Sequence, residues 1–405
     1  MEHRSVPARI VWVLFALALP ACGFHPNGSD NLDAWLPFRD EVPFIDPSSE
    51  KVELVWSWPN ELSVHHGETC AVGRETLKVR QHLDIDRGFD RGTVLFNGYR
   101  LKNLDEQSYV RAMASGIGAI TAQPGTLSWE AAGVLADQAF DDTVEWCYTF
   151  TAIAWSSTAI EAVADDDDPM HIFQDRPYNS GSALRPIPGF LKNPAFVGAP
   201  EVAVLPRGFL ALFHETSHHL LQVAYHQDAG ERYVEAKKVF GNGETPQPGT
   251  VSAAAGDVVT WESTGLIKDD SSDNGETMAE LVTGLAGRDV GIINPPFTVV
   301  PQDDCGHSCG GPYSGGVETE DRQIRGIPFE LAIPVLSSWE LAYGINDESV
   351  REIGVWIPEW KWTPDPAGGN LNYTLKSILD NDDHWPFFVT RAQVKILGFR
   401  RIPGL

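Results

Sequence analysis

The segment Arg207-Gly-Phe-Leu-Ala-Leu-Phe-His-Glu-Thr-Ser-His-His-Leu-Leu-Gln-Val-Ala-Tyr-His226 limits the fold more than any other part of the chain. It is an apolar-rich run of about twenty residues with His214, Glu215 and His218 set inside it. Burying two imidazoles and a carboxylate in apolar surroundings is costly unless they have partners. The run follows Pro206, and proline suits the first turn of a helix, where its missing N–H costs nothing. Phe209, Leu210, Leu212, Phe213, Leu220, Leu221 and Val223 surround the segment on all sides, which predicts a buried helix. On a helix, residues four apart share a face, so His214 and His218 would aim at one point. Zinc accepts imidazole nitrogen at about 2.0–2.1 Å, a distance that pair could supply. Glu215 would stand one step round, within reach of a zinc-bound water.

A third ligand is required, and the sequence offers Asn274-Gly-Glu-Thr-Met-Ala-Glu280. A second helix over ETMAELVTGLAG would place Glu276 and Glu280 on one side. Two carboxylates on one face repel unless a cation is near, and a zinc ion held by Glu276, with Glu280 orienting a ligand histidine, removes that cost. A further helix is predicted over 329–343. The extended metzincin signature needs Gly at 221 and His at 224, where this chain has Leu221 and Ala224.

The paired motifs resemble the gluzincin zinc metallopeptidases. The resemblance spans about 70 residues, and it implies a mainly helical zincin-like domain over 201–405. It carries over His214, His218 and Glu276 as zinc ligands, Glu215 as general base and Glu280 as the acidic residue behind a ligand. Zinc would polarise the scissile carbonyl of a protein or peptide substrate while Glu215 moves the water's proton. Tyr225, Tyr233, His307, Tyr313, Tyr343 and His384 all remain open as the oxyanion-stabilising residue.

The remainder of the chain reads differently. Arg4 and Arg9 precede the apolar run Ile10–Leu19, which is too short to span a bilayer. It ends in Leu19-Pro-Ala-Cys22-Gly, which resembles a bacterial lipobox, although Pro20 departs from the usual choice. That resemblance implies a signal peptide over 1–21, lipidation of Cys22, and export to the outer membrane or cell surface with a lipid anchor as the only membrane contact. Residues 22–48 read as a tether. From 49 to 165, period-two alternation such as Val144, Trp146, Tyr148 and Phe150 predicts an antiparallel β-sandwich. Asn97-Gly98, Pro124-Gly125 and Asp141-Asp142 read as turns, and His65-His66 as part of a surface turn. Asp165–Asp168 followed by Pro169 opens a linker over 166–200. No internal repeat is visible. The expected architecture is α+β and multidomain, a sandwich followed by a helical catalytic domain.

Export leaves Cys70, Cys147, Cys305 and Cys309 in an oxidising compartment, where an even count predicts two disulfides. Cys305 and Cys309 sit in a Gly-rich stretch that can close a small ring, which leaves Cys70 to pair with Cys147. A formal net charge of −26 repels phosphate backbones and argues against nucleic acid as a partner. Residues 269–274 cluster oxygen donors that could hold Ca2+, without EF-hand spacing; a solvated loop is the simpler reading. The competing functional class is a non-enzymatic surface lipoprotein whose sandwich binds a partner, with structural zinc or none. Composition does not indicate the oligomeric state.

Overall fold

A computed structural model describes residues 42–400 except 75, 106–108, 138–141, 167–170, 177–186, 198, 200–201, 214–218, 228–251, 256–257, 270–275, 296–297, 301–316, 344–348 and 382–387. Strands follow one another along the whole described chain. The first is an added edge strand, β1 (Ser49–Trp58). A first unit then runs β2 (Leu62–Arg74), β3 (Thr76–Asp84), β4 (Arg91–Asn103), β5 (Ala112–Gln123), β6 (Thr126–Ala136) and β7 (Thr143–Trp155). The second unit holds β8 (Ala162–Asp166), β9 (His171–Arg176), β10 (Ile187–Lys192), β11 (Val202–Phe213), β12 (Gln222–Gln227), β13 (Ser252–Ala255), β14 (Val258–Lys268) and β15 (Glu276–Gly287). Completing the body is a third unit of β16 (Val290–Ile293), β17 (Thr298–Val300), β18 (Glu318–Ile327), β19 (Leu331–Tyr343), β20 (Glu352–Thr363), β21 (Gly369–Asp380) and β22 (Phe388–Phe399).

This corrects the expected fold. Among the described residues there is no α-helix, only a 3-10 turn at Pro194–Phe196. The fold is all-β, not α+β with a helical zincin-like domain. The residues flanking 214–218 are strands, 276–287 is strand β15, and most of 329–343 is strand β19. The physical reason lies in burial. In β11 and β19 every residue is buried, and in β15 all but the last. A strand covered on both faces reads as a continuous apolar run, which periodicity does not separate from a buried helix.

The strands form three antiparallel sheets, and the three units are shared among them in a cycle. The sheets run β1-β2-β7-β4-β20-β21-β18, β3-β6-β5-β11-β15-β8 and β10-β14-β12-β19-β22-β16. At the centre of each, two units meet: β4 pairs with β20, β11 with β5, and β19 with β12. Each unit therefore places a central strand (β4, β11 or β19) and its last strand in one sheet and crosses to the next for those between. Strands from both sides of residues 166–200 share these sheets, and one hydrophobic cluster reaches from Trp58 to Phe399.

The repetition extends to single hydrogen bonds. Where each unit crosses between sheets, the last residue of the outgoing strand donates its N–H to the unit before it. Phe213 donates to the Arg111 carbonyl at 3.0 Å, Tyr343 to Leu221 at 2.9 Å, and Asn103 to Arg351 at 2.8 Å. Those acceptor residues each donate in turn to the end of a neighbouring strand: Arg111 to Ala136, Leu221 to Lys268, Arg351 to Asp380. The outgoing strands also share a β-bulge at the same position, at Asn97 in β4, Arg207 in β11 and Ser337 in β19. A bulge adds a residue to one strand and bends it. Asn97-Gly98, expected as a turn, is this bulge, with Gly98 at φ 133°. A Cβ there would lie 2.3 Å from the Trp356 Cα, so only glycine allows β20 to approach.

Two residues past each bulge, the units touch. Tyr99, Phe209 and Trp339 occupy equivalent positions and pack as a ring of three. Centroid separations are 4.8 Å for Tyr99–Phe209, 4.7 Å for Phe209–Trp339 and 5.2 Å for Tyr99–Trp339. All three are buried. The sequence shows no repeat because equivalent positions require only a strand, a bulge and an aromatic ring, and different residues meet each requirement.

The Cys70–Cys147 disulfide is present, joining directly opposed residues of β2 and β7. It closes a separation of 77 residues, which the chain-entropy model values at about 4 kcal/mol. Cys305 and Cys309 lie outside the described residues. His65 and His66 lie within β2 rather than a turn, and His66 is buried. We predict that Trp339→Ala, which opens a cavity where all three units meet, lowers unfolding free energy by about 3–5 kcal/mol in urea titrations. A loss below about 1 kcal/mol would mean that the ring contributes little to cohesion.

Candidate functional site

Of the expected zinc site, His214, Glu215 and His218 lie outside the described residues, as do Cys22, Tyr233, His307, Tyr313, His384 and residues 270–274. The gluzincin resemblance is overturned on its flanks. That site requires one helix to carry both histidines and a second to carry both glutamates, and these neighbourhoods are strands. Residues 214–218 fall in the crossing between β11 and β12, which 104–111 and 344–351 match in the other units. His219 is described and stacks on Tyr109 of the first unit's crossing, with centroids 4.5 Å apart. Asp269 is buried at the end of β14.

Glu276 and Glu280 are both buried on β15. Four residues apart on a strand they still share a face, but about 13 Å separates them instead of one helical turn. Glu276 stands opposite Phe213, the residue before His214. Its Oε2 accepts the Ile267 N–H at 3.2 Å. Glu280 accepts from three side chains: Trp261 Nε1 at 2.9 Å, Ser263 Oγ at 2.7 Å and the Tyr225 hydroxyl. Burial raises its carboxyl above the usual range, while those donors and the charge of Lys395 pull it back. The first unit explains the arrangement. There the position of Glu280 is Tyr148 and that of Trp261 is Trp129, whose Nε1 donates to the Tyr148 hydroxyl at 3.0 Å. Both pairs tie the two layers of one unit together by an indole N–H and an oxygen. Glu280 is thus a structural acceptor, and Tyr225 is its donor.

A second buried polar group lies across β12, β19 and β22. Gln222 Nε2 donates to Glu340 Oε1 at 2.8 Å. Burial pushes Glu340 up to about 7, with Arg391 and Gln222 acting the other way. Burial holds His226 down at about 4, and Arg391 adds to that. Lys395 is buried and donates to Gln227 Oε1 at 2.9 Å and the Val204 carbonyl at 3.3 Å. His66 forms an ordered chain: Asn97 Nδ2 donates to Thr151 Oγ1 at 2.7 Å, Thr151 faces His66 Nδ1 at 3.1 Å, and Nε2 faces the Pro358 carbonyl at 3.1 Å. A carbonyl only accepts, so Nε2 carries a proton, and burial holds the imidazole down at about 4, which keeps it neutral at pH 7.

The open surface of interest lies elsewhere, on the outer face of β18, β21 and β20. The register aligns Asp321, Thr374 and Glu359 in one row and Gln323, Asn372 and Lys361 in the next. These six polar side chains form a grid of roughly 10 Å by 7 Å. They line a groove of about 470 Å³, to which Arg322, Trp360 and Tyr373 also contribute. Thr374 Oγ1 donates to Asp321 Oδ1 at 2.7 Å, and Gln323 Oε1 accepts from Arg325 Nε at 2.6 Å. The corresponding row of the first unit, Arg80–Glu130–Gly118, is closed over. Arg80 and Lys78 bind Glu130 at 2.8 and 3.3 Å, and the Phe44 ring lies over both cations. Sequence reading passed over the groove. Its signal, period-two polar residues in ETEDRQIRGI and GNLNYTLKSILD, is that of any solvated sheet face.

Comparison with protein-family models, with curated proteins and with solved structures finds no match in any of the three. Among the described residues, no helix is long and apolar enough to cross a membrane.

Two predictions follow from the buried carboxylates. Glu280→Ala leaves three buried donors without their acceptor and should cost about 3–5 kcal/mol in chemical denaturation, with Glu280→Gln milder. Folded Glu340 holds its proton to about 7, against a reference of 4.5. Between those values the folded state binds more protons than the unfolded chain, so stability falls as pH rises through that window, by about 3 kcal/mol. Melting temperatures from pH 5 to 7.5 should therefore decline less in Glu340→Gln than in the parent; parallel curves would show that Glu340 titrates normally.

Proposed function

We propose that this chain is an exported, lipid-anchored binding protein, a cyclic β scaffold that holds a ligand-binding face outside the cytosol. The observation that supports this is the groove on β18, β21 and β20. A surface that the first unit closes with an ion-paired, aromatic-capped row is open in the third and lined by donors and acceptors. Glu276 and Glu280, by contrast, are engaged in bonds from β15 to β14 that hold two layers together. The test uses the full chain with Cys22→Ala, so that lipid insertion does not retain it, incubated with a washed cell-envelope preparation. Retention in the pellet that Asn372→Arg abolishes supports the reading. Absence of retention in the parent overturns it.

One observation favours a second reading, zinc-dependent hydrolysis at a site built without helices. Glu276 is buried opposite Phe213, the last described residue before His214, and in this reading Glu215 would be the base. Zinc content and casein hydrolysis, measured for the parent and Glu215→Ala, decide it. Zinc in both with cleavage only in the parent establishes the hydrolase, and a metal-free parent removes it.

A further inference from the structure

We infer that the ligand of the β18–β21–β20 groove is a neutral, hydroxyl-rich polymer, an oligosaccharide or polysaccharide. This inference rests on the binding reading above and names the ligand class of the same groove.

Three features of the groove point to this class. First, its lining carries little net charge. Asp321 and Glu359 are set against Lys361, and Arg322 is paired with Glu320 at 3.0 Å, on a chain whose overall charge is −26. Secondly, donors and acceptors alternate on a short lattice. Carboxylates, which only accept, lie in the same rows as a hydroxyl, beside an ammonium, which only donates, and two amides, which do both. A sugar ring presents hydroxyls that donate and accept at once, at spacings that neighbouring side chains of a sheet can bracket. Asn372 and Lys361 enter no hydrogen bond or ion pair among the described residues, which leaves their donors for a ligand. Thirdly, the groove lacks what a protein partner uses. Protein interfaces centre on desolvated aromatic anchors with a polar rim. Here Trp360 and Tyr373 line the floor at 7% and 5% exposure, so they offer edges rather than a protruding anchor. The groove is open to solvent.

The experiment uses the same Cys22→Ala full chain in two arms. In the first, binding is titrated against defined neutral oligosaccharides, the hexamers of β-1,4-glucose, β-1,4-N-acetylglucosamine and α-1,4-glucose. In the second, the washed envelope preparation is oxidised with periodate, which cleaves vicinal diols and leaves peptide bonds intact. The expected result is a saturable signal with at least one hexamer or with the envelope, lost on periodate treatment and weakened at least tenfold by Asn372→Ala with Gln323→Ala. Those positions are surface-facing, and unchanged melting of the double variant shows that the fold persists. An Arg80→Ala control, at the equivalent row of the first unit, should bind as the parent does. Envelope retention that resists periodate and is lost in the double variant, with no binding of any hexamer, the N-acetylglucosamine one included, overturns the saccharide inference and leaves the binding reading intact. No retention by envelope or hexamer overturns both.

Discussion

The contact on which this molecule depends is the meeting of Tyr99, Phe209 and Trp339. Each comes from the central strand of a different unit, and each touches the other two. A unit alone would leave the inner edge of its outgoing strand unpaired, because β4, β11 and β19 each complete their ladder with a strand borrowed from a neighbour. Exposed ladder edges invite association, and cyclic sharing removes them at the centre of every sheet. The mid-strand bulges bend these strands just before the aromatic ring of three. Thus the bulge, the glycine at 98 and the ring act together: the first bends the strand, the second admits its neighbour, and the third fills the space that remains.

A body assembled in this way buries many polar groups, and its stability depends on their being satisfied. The indole–oxygen pairs Trp129–Tyr148 and Trp261–Glu280 meet the same requirement with different chemistry. A phenol is the easier acceptor to bury. A carboxylate needs three donors and a nearby lysine to occupy the same place, which is why Glu280 is surrounded by Trp261, Ser263 and Tyr225. Equivalent positions in a repeated fold are therefore free to differ in residue type, provided that each buried oxygen finds its protons.

The units also differ on their outer faces. Phe44, Lys78, Arg80 and Glu130 seal the first, whereas the matching surface of the third is an open polar groove. The central contacts are held in common while the outer rows vary.

Much of this was legible in the sequence, though unevenly. Strands of the first unit could be read, because Val144, Trp146, Tyr148 and Phe150 of β7 alternate with Glu145, Cys147, Thr149 and Thr151 at period two. The Cys70–Cys147 pair followed from counting cysteines, whereas the polar rows of β18 and β21 carry only the pattern of any solvated sheet face and pointed to no site. The second and third units were misread as helices, since β11, β15 and β19 are buried on both faces and leave no period to detect. From that error came the placing of Glu276 and Glu280 around a metal, where the strand instead sets them about 13 Å apart and surrounds Glu280 with donors. Composition and pattern alone thus determined that the chain is acidic, carries a disulfide and is rich in strands at its start. Only the tertiary structure decided that three dissimilar stretches are one repeated unit, because the repeat resides in pairing, bulges and contacts between distant residues, and local sequence does not encode which strand a neighbour will supply.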